Sequence, residues 1–291
     1  MQPLLITGAT GTLGQAFRLL CRMRGLAAVT LDRAALDIAD AASIAHALHH
    51  YQPWAVVNAA GYVRVDEAET DLVRCYHENT TGPRLLAEAC AAQRLQLLTF
   101  SSDLVFDGAK ATPYTESDVA RPLNVYGQSK LLAEQAVLAA LPTALVVRTS
   151  AFFSAWDEHN FVCHALNAAR RGERVPAAAD LFISPTYVPD LVNTSLDLLL
   201  DQATDRWHLT NEGTYSWAEL ARLALRLAGL DETLVVPRPA ARFGWAARRP
   251  RYSALGSTYG QLLPSVESGL QRHLADEQLL QSANPPAMLV G

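Results

Sequence analysis

The amino-acid sequence predicts an α/β fold of the Rossmann type, a doubly wound parallel sheet with a smaller, partly interleaved C-terminal substrate domain. Three observations predict it. Short apolar runs alternate with longer helical patterns through the first half of the chain, as buried parallel strands and their crossover helices require. A glycine-rich turn, "TGATGTLG", joins the first apolar run to the first helix. Beyond about residue 150 the alternation loosens into loops and separate helices.

The strands are expected at "LLIT" (4–7), "AAVTL" (27–31), "WAVVNAA" (54–60), "LQLLTFSS" (95–102) and "ALVVRTS" (144–150). Each is apolar almost without interruption, which fits a sheet covered on both faces. Between them, helices are expected over 12–24, 41–50, 72–93 and 123–140, giving βαβ units. A helix over 159–171 then leads into "VPAAADLFISPTYVPD", a proline-containing loop region. Helices over 188–201 and 216–229 flank "WHLTN", a short strand of the smaller domain. The expected organisation is a dinucleotide-binding domain over 1–150, with helix 188–201 packing back on it. A substrate-binding domain over 151–280 closes over the carboxyl ends of the strands, and 281–291 is a loose tail.

Composition narrows the class. The chain has 291 residues, half of them apolar, and a formal net charge of −5. That charge offers no footprint for nucleic acid, and no stretch has the basic amphipathic pattern of a membrane-surface helix. No apolar run reaches the length of a membrane span. Cys21, Cys75, Cys90 and Cys163 lie far apart without ligand spacing, so free thiols in a reducing compartment are expected. The first strand begins directly after Met1-Gln2, leaving no room for a signal peptide. A cytoplasmic protein is therefore expected.

Chemistry enters at the glycine turn. Gly8, Gly11 and Gly14 repeat every three residues. In such a turn one glycine permits the bend, one lets backbone approach a pyrophosphate, and one lets the helix pack on the sheet. The helix N-terminus offers unpaired N–H groups to the phosphates. Asp32 ends the second strand, where an acid would take the adenosine ribose hydroxyls, while Arg33 beside it suits a 2′-phosphate. Arg33 favours NADP(H), with NAD(H) as the alternative. Asp37 and Ile38 stand where they would flank the adenine, or else form a solvated acid and a buried aliphatic.

A second signal is "VYGQSK" (125–130). Lys+Arg total 24, yet only Lys110 and Lys130 are lysine. Tyr126 and Lys130 are spaced i, i+4 and share a helix face. An ammonium there is expected to lower the tyrosine pKa and make an acid/base pair, or else Lys130 is a surface residue beside a packed tyrosine. His49 and His50 lack a third ligand and read as solvated, and His159 reads as a surface or core residue. Asp66, Glu67 and Glu69 read as a helix start favoured by the dipole. Arg248, Arg249 and Arg251 form a basic cluster suited either to a diphosphate or to the surface.

The motifs "TGATGTLG", "LDI", "VVNAAGYVRVDEAE", "SSDLVFDG", "PLNVYGQSK" and "VVRTS", in this order, resemble the extended short-chain dehydrogenase/reductases. Within them the chain is similar to the dTDP-4-dehydrorhamnose reductase family. The likeness extends through "SPT" (184–186), "RRPRYSAL" (248–255) and "LLPSVESGL" (262–270), to about residue 275. It implies NAD(P)H-dependent reduction of the 4-keto group of a nucleotide-linked deoxysugar. Gly11, Thr12 and Leu13 would cradle the pyrophosphate, and Asp32, Asp37 and Ile38 would surround the adenosine. Asn58, Ala59, Ala60, Gly61, Tyr62 and Val63 would line the cofactor. Tyr126 matches the proton donor, Lys130 its partner, and Ser102 the accompanying hydroxyl, usually Thr in the subfamily. Val65, Ser102, Asp103, Ala151 and Arg249 fall at substrate positions.

Several residues depart from the family pattern. Ala151 stands where Trp usually follows "RTS", Leu104 replaces a Tyr, and Tyr252 replaces an Asn. Ile183 and Tyr187 bring bulk around "SPT", while Phe152, Phe153 and Trp156 are candidates to restore an aromatic platform. Gln15 occupies a position where some members hold a metal through carboxylates, so no metal is expected there. The rebuilt substrate half keeps a second class open, a non-catalytic NADP-binding regulatory or sugar-nucleotide-binding module. The likeness is also compatible with a homodimer or a sugar-processing partner protein.

Overall fold

In a computed structural model that describes residues 2–283, six parallel strands form one sheet. They are β1 (Leu4–Thr7), β2 (Ala28–Leu31), β3 (Ala55–Asn58), β4 (Gln96–Ser102), β5 (Leu145–Thr149) and β6 (Asp205–His208). Their spatial order is β2-β1-β3-β4-β5-β6, and every pairing is parallel. The order reverses between β1 and β3, whose chains leave towards opposite faces and open a crevice at their carboxyl ends.

Helices α1 (Thr12–Met23), α2 (Ala41–Tyr51), α3 (Leu72–Tyr76), α4 (Gly82–Gln93) and α5 (Val125–Ala140) connect the first five strands. The two faces of the sheet carry separate cores. One joins Leu4, Ile6 and Val57 to Phe17 of α1 and to Val188, Leu191, Val192, Leu196 and Leu199. The other joins Leu5, Val56 and Leu97 to α2, α4 and Val137 of α5. The helix expected over 72–93 is interrupted by a π turn at His77–Thr81, a widening that sequence periodicity does not register.

The smaller domain contains α6 (Phe161–Arg170), α8 (Trp217–Leu227) and α9 (Val266–Ala283), while α7 (Val188–Leu200) lies on the sheet beside α1. Three two-stranded ribbons brace it: Phe152–Phe153 with Thr186–Tyr187, Phe182–Ile183 with Tyr215–Ser216, and Val175–Ala178 with Val235–Arg238. Its core gathers Phe153, Val162, Leu166, Ile183, Tyr187, Leu220, Val266 and Leu270.

Two expectations are corrected. The strand expected at "WHLTN" belongs to the main sheet, Trp207 facing Val147 in register, because its apolar residues extend the edge left open by β5. Helix α9 was not anticipated, since charged and small residues dilute its apolar face; Ser265 begins it by accepting from Ser268 N at 3.2 Å. Of the tail expected at 281–291, residues 281–283 continue α9, and the remainder lies outside the described residues. All four cysteines are buried and unpaired. Among the described residues no helix is long and apolar enough to cross a membrane.

Candidate active site

The crevice between β1 and β3 is built by backbone that tolerates no side chain. Gly8 has φ +71°, and a Cβ there would lie 2.6 Å from Ala59 O; one on Gly14 would lie 2.1 Å from Gly8 O. These two glycines let α1 start against the sheet. Gly11 differs, since its Cβ would meet only Gly8 O, at an ordinary 3.5 Å. It is the N-cap of α1, without a side-chain cap and with no acid in the first turn. The unpaired N–H groups at the start of that helix fit a diphosphate. Leu13 faces the core, leaving Thr12, whose Oγ1 donates to Asp157 Oδ2 at 2.7 Å. The loop carrying Asp157 thus reaches over the glycine turn.

The other wall follows β3. Asn58 is buried, accepting from Thr7 Oγ1 at 2.8 Å and donating to Thr99 Oγ1 at 3.2 Å, so its amide fixes the wall from behind. Ala59, Ala60 and Gly61 are partly exposed along it. Tyr62 departs from the expected lining role: its ring is buried with Ala68, Cys75, Val125 and Tyr126. Val63 points out, 73% exposed. The anchor of this wall is Asn79, in the π turn, which accepts from Tyr62 N at 2.8 Å and donates to Tyr62 O at 3.0 Å and Ser129 Oγ at 3.1 Å. Sequence reading missed Asn79; an Asn beside two Thr in a helical stretch, each a poor helix former, was the available signal.

At the adenosine end, Asp32 is exposed and accepts from Ala35 N at 3.0 Å. Arg33 is not free: its guanidinium meets Glu78 at 2.6 Å and Asp37 at 3.4 Å. A 2′-phosphate would have to share it with those acids. Ile38 is 5% exposed and sits in the core beneath Gly82, where a Cβ would be 2.7 Å from Ile38 Cγ1. Its part is packing, not contact with a base, because α4 covers it.

Ser102, Tyr126 and Lys130 converge at the carboxyl ends of β3, β4 and β5. Asn124 caps α5, accepting from Gly127 N at 2.7 Å. A Cβ on Gly127 would stand 2.1 Å from Leu104 O, so glycine alone lets α5 begin against the turn that holds Ser102. Lys130 Nζ donates to Phe100 O at 3.2 Å and lies 5.8 Å from the Tyr126 ring centroid. It would be 3.5 Å from a Cβ on Gly61, so the ammonium abuts the crevice wall.

Electrostatics correct one expectation. Burial pushes the Tyr126 phenol above its ordinary value, the Asp103 charge adds to this, and only the Ser102 hydroxyl offsets them. Lys130 is itself lowered to about 8 by burial and does not depress the phenol. Among the protein groups alone, desolvation outweighs the ammonium, and Tyr126 keeps its proton at neutral pH.

Asp103 also departs from expectation. It is 6% exposed, and it accepts from Ser253 Oγ at 2.5 Å and Ser102 Oγ at 3.0 Å. Burial raises its carboxyl, with Ser253 foremost among the hydroxyls opposing the shift. It orients Ser102 instead of facing the cleft; Ser102 also caps the following turn, accepting from Leu104 N at 3.1 Å.

Arg249, expected to meet a diphosphate, instead forms a two-pronged pair with Asp66 at 2.5 and 2.6 Å, under the Trp245 ring. Arg248 and Arg251 are exposed. Asp66 and Glu69 do more than favour a helix dipole, since Glu69 accepts from Val125 N at 2.9 Å at the head of α5. Val65 is partly buried. Ala151 adopts φ +39°, a strained setting for a residue with a Cβ. Phe153, Ile183 and Tyr187 are core residues, so they do not widen or floor the cleft; Phe152 and Trp156 pack against the sheet core. His49, His50 and His159 are exposed. Gln15 donates to Thr10 O at 2.9 Å.

A family model described as the RmlD substrate binding domain matches residues 1–278. The chain is 38% identical over 259 residues to a dTDP-4-dehydrorhamnose reductase of Mycobacterium tuberculosis, covering 87% of this chain and 84% of that protein. It is 34% identical over 252 residues to a dTDP-4-keto-6-deoxy-D-glucose reductase of Streptomyces niveus, covering 87% and 88%. Among solved structures, the dTDP-4-dehydrorhamnose reductase of Bacillus anthracis in complex with NADP superposes with a TM-score of 0.90 at 30% identity, covering 94% of this chain and 99% of that one.

Proposed function

This chain belongs to the RmlD substrate binding domain family of sugar-nucleotide oxidoreductases, and from that membership we propose that it reduces the 4-keto group of a nucleotide-linked deoxysugar, using NADPH in preference to NADH. The observation that carries this reading is the convergence of a protonated phenol, an ammonium and a hydroxyl beside the glycine-walled crevice.

The glycine turn and the N-terminus of α1 would hold the cofactor diphosphate, Ala59–Gly61 its nicotinamide side, and Arg33 a 2′-phosphate. The bound nicotinamide supplies a hydride. Tyr126 donates a hydrogen bond to the ketone oxygen and gives up its proton as negative charge develops there. It carries its proton at neutral pH, as a donor must when substrate arrives, although its raised pKa resists giving that proton up. Lys130, against Gly61, would meet the cofactor ribose at the crevice wall, where its compact ammonium fits and a forked guanidinium would not. Ser102, aimed by Asp103, holds the oxygen in line. Ser253 links Asp103 to the substrate segment, so that segment and the acid/base group are set together.

The test is oxidation of NADPH or NADH against a panel of nucleotide-linked 4-keto deoxysugars, with Tyr126→Phe beside the wild type. Turnover on at least one sugar, lowered on the order of 10²–10⁴-fold by Tyr126→Phe, is expected. Cofactor binding without turnover on any sugar would instead support the regulatory module, and an undiminished rate in Tyr126→Phe would remove the phenol from the mechanism. Arg33→Ala should narrow the preference for NADPH; an unchanged preference would defeat that assignment.

A further inference from the structure

In the smaller domain, the seam between α6 and α9 holds three side chains that the proposed reaction does not use. Cys163 Sγ, a ring nitrogen of His273 and a carboxylate oxygen of Glu277 all lie within 4.8 Å of one another, and it is the one such group of His, Cys, Asp and Glu among the described residues. Each residue is buried. His273 and Glu277 are i, i+4 on α9 and so project from one face, towards Cys163 in the first turn of α6. Cys163 Sγ is 3.8 Å from His273 Nε2, which is 3.7 Å from Glu277 Oε1.

These separations are close to those of a tetrahedral zinc site. Metal–sulfur and metal–nitrogen bonds of about 2.3 and 2.0–2.1 Å put neighbouring ligand atoms roughly 3.3–3.6 Å apart. Closing the observed triangle therefore needs only short side-chain movements. A thiolate, an imidazole and a carboxylate also form a donor set suited to a borderline-soft divalent ion.

The surroundings supply two further requirements. Arg170 Nη2 donates to Glu277 Oε2 at 2.6 Å and Nη1 to Oε1 at 3.5 Å, which orients the carboxylate with Oε1 also towards the histidine, as outer-shell partners of metal ligands do. A cavity lined by Arg170, Leu274, Glu277 and Gln278 borders the cluster at its carboxylate. Phe153 meets the His273 ring edge-on at 5.7 Å and fixes its plane, since Nδ1 has no hydrogen-bond partner.

We propose that Cys163, His273 and Glu277 bind a zinc ion that pins the C-terminal helix to the smaller domain, with a water in the fourth position. Binding forms a zinc–sulfur bond as the Cys163 S–H bond breaks and its proton passes to solvent, with no change in oxidation state. Burial pushes that thiol up to about 11, so it carries its proton at neutral pH and must release it to the ion. Burial also acts to raise Glu277, but the neighbouring His273 ring and the Arg170 guanidinium outweigh it and hold the carboxyl at about 2, so this ligand is charged beforehand.

The test uses the full chain, stripped with a chelator and titrated with Co²⁺ and then Zn²⁺. The expected result is one equivalent of Co²⁺, a thiolate-to-cobalt absorption in the near ultraviolet, its loss on adding Zn²⁺, and release of about one proton per ion in calorimetry across buffers. Cys163→Ser should lose the absorption, while Cys21→Ala should keep it. Arg170→Gln should weaken binding by about 10–100-fold. A wild-type titration without thiolate absorption overturns the proposal, as does an absorption that survives in folded Cys163→Ser.

Discussion

Replacing Lys130 with methionine should make the protein more stable at pH 7 while abolishing its proposed turnover. Methionine keeps the length of the stem and removes a charge held in a poorly solvated place. Lys130 is lowered from 10.5 to about 8 in the folded chain. At 1.36 kcal/mol per unit this corresponds to at most roughly 3 kcal/mol. Solvent reaches part of the side chain and the bond to Phe100 O is lost, so about 1–2 kcal/mol is the expected gain. The sign follows from proton binding. Below pH 8 both folded and unfolded lysine are protonated and the full penalty acts. Between 8 and 10.5 the unfolded chain holds the proton and the folded chain does not, so wild-type stability rises relative to the variant. Above 10.5 the penalty is gone. The assay is denaturant unfolding of both proteins, without cofactor, at intervals from pH 7 to 10. Taking the difference between them cancels Cys21, Cys90 and Cys163, whose thiols titrate within that range only when unfolded, while Cys75, which senses the Lys130 charge, cancels in part. A variant less stable than wild type at pH 7, or a gap that does not shrink with pH, would refute the reasoning.

Other perturbations have equally definite outcomes. Gly127→Ala would put a Cβ 2.1 Å from Leu104 O; the shift of α5 should cost about 1–3 kcal/mol in denaturant unfolding and on the order of 10²-fold in kcat/KM through misplacement of Tyr126. Asp157→Asn removes a carboxylate from the mouth of α1, and cofactor titration should show binding several-fold tighter, by about 1 kcal/mol of relieved repulsion, with the gain fading at high salt. Glu134→Ala strands Arg148, whose side chain is 3% exposed and 2.6 Å from the lost carboxylate. Thermal and denaturant unfolding should register about 3–5 kcal/mol of destabilisation, and Glu134→Leu with Arg148→Met should recover most of it.

What the sequence disclosed and what it withheld divide along physical lines. The strands could be read because each is buried on both faces, and Gly8 and Gly14 because the backbone admits nothing else at those two points. Tyr126 and Lys130 were found from their spacing, yet the direction of the phenol's titration was not, because it depends on how much water the fold removes and on Asp103, which lies next to Ser102 in sequence but acts through space. Arg249 and Arg33 read as ligand-binding cations; each is engaged by an acid from a distant segment, Asp66 and Glu78, and no local pattern announces such a pairing. Asn79 went unseen because its two hydrogen bonds to Tyr62 exist only once a helix has widened by a residue. Helix α9 went unseen because its stripe is narrow and its partners, Asp190, Arg170 and Tyr187, arise far upstream.

The return of α7 and β6 to the sheet fixes where this protein can be cut. A fragment ending near Ser150 would contain every residue of the glycine turn and the Tyr126–Lys130 pair, yet it would leave Phe17 and its neighbours on α1 bare and β5 with an unpaired rim. Such a piece should self-associate when expressed alone, whereas an excision that spared residues 186–208 would keep the sheet wrapped. Autonomy here is a property of spatial layers, and no single break in the polypeptide reproduces it.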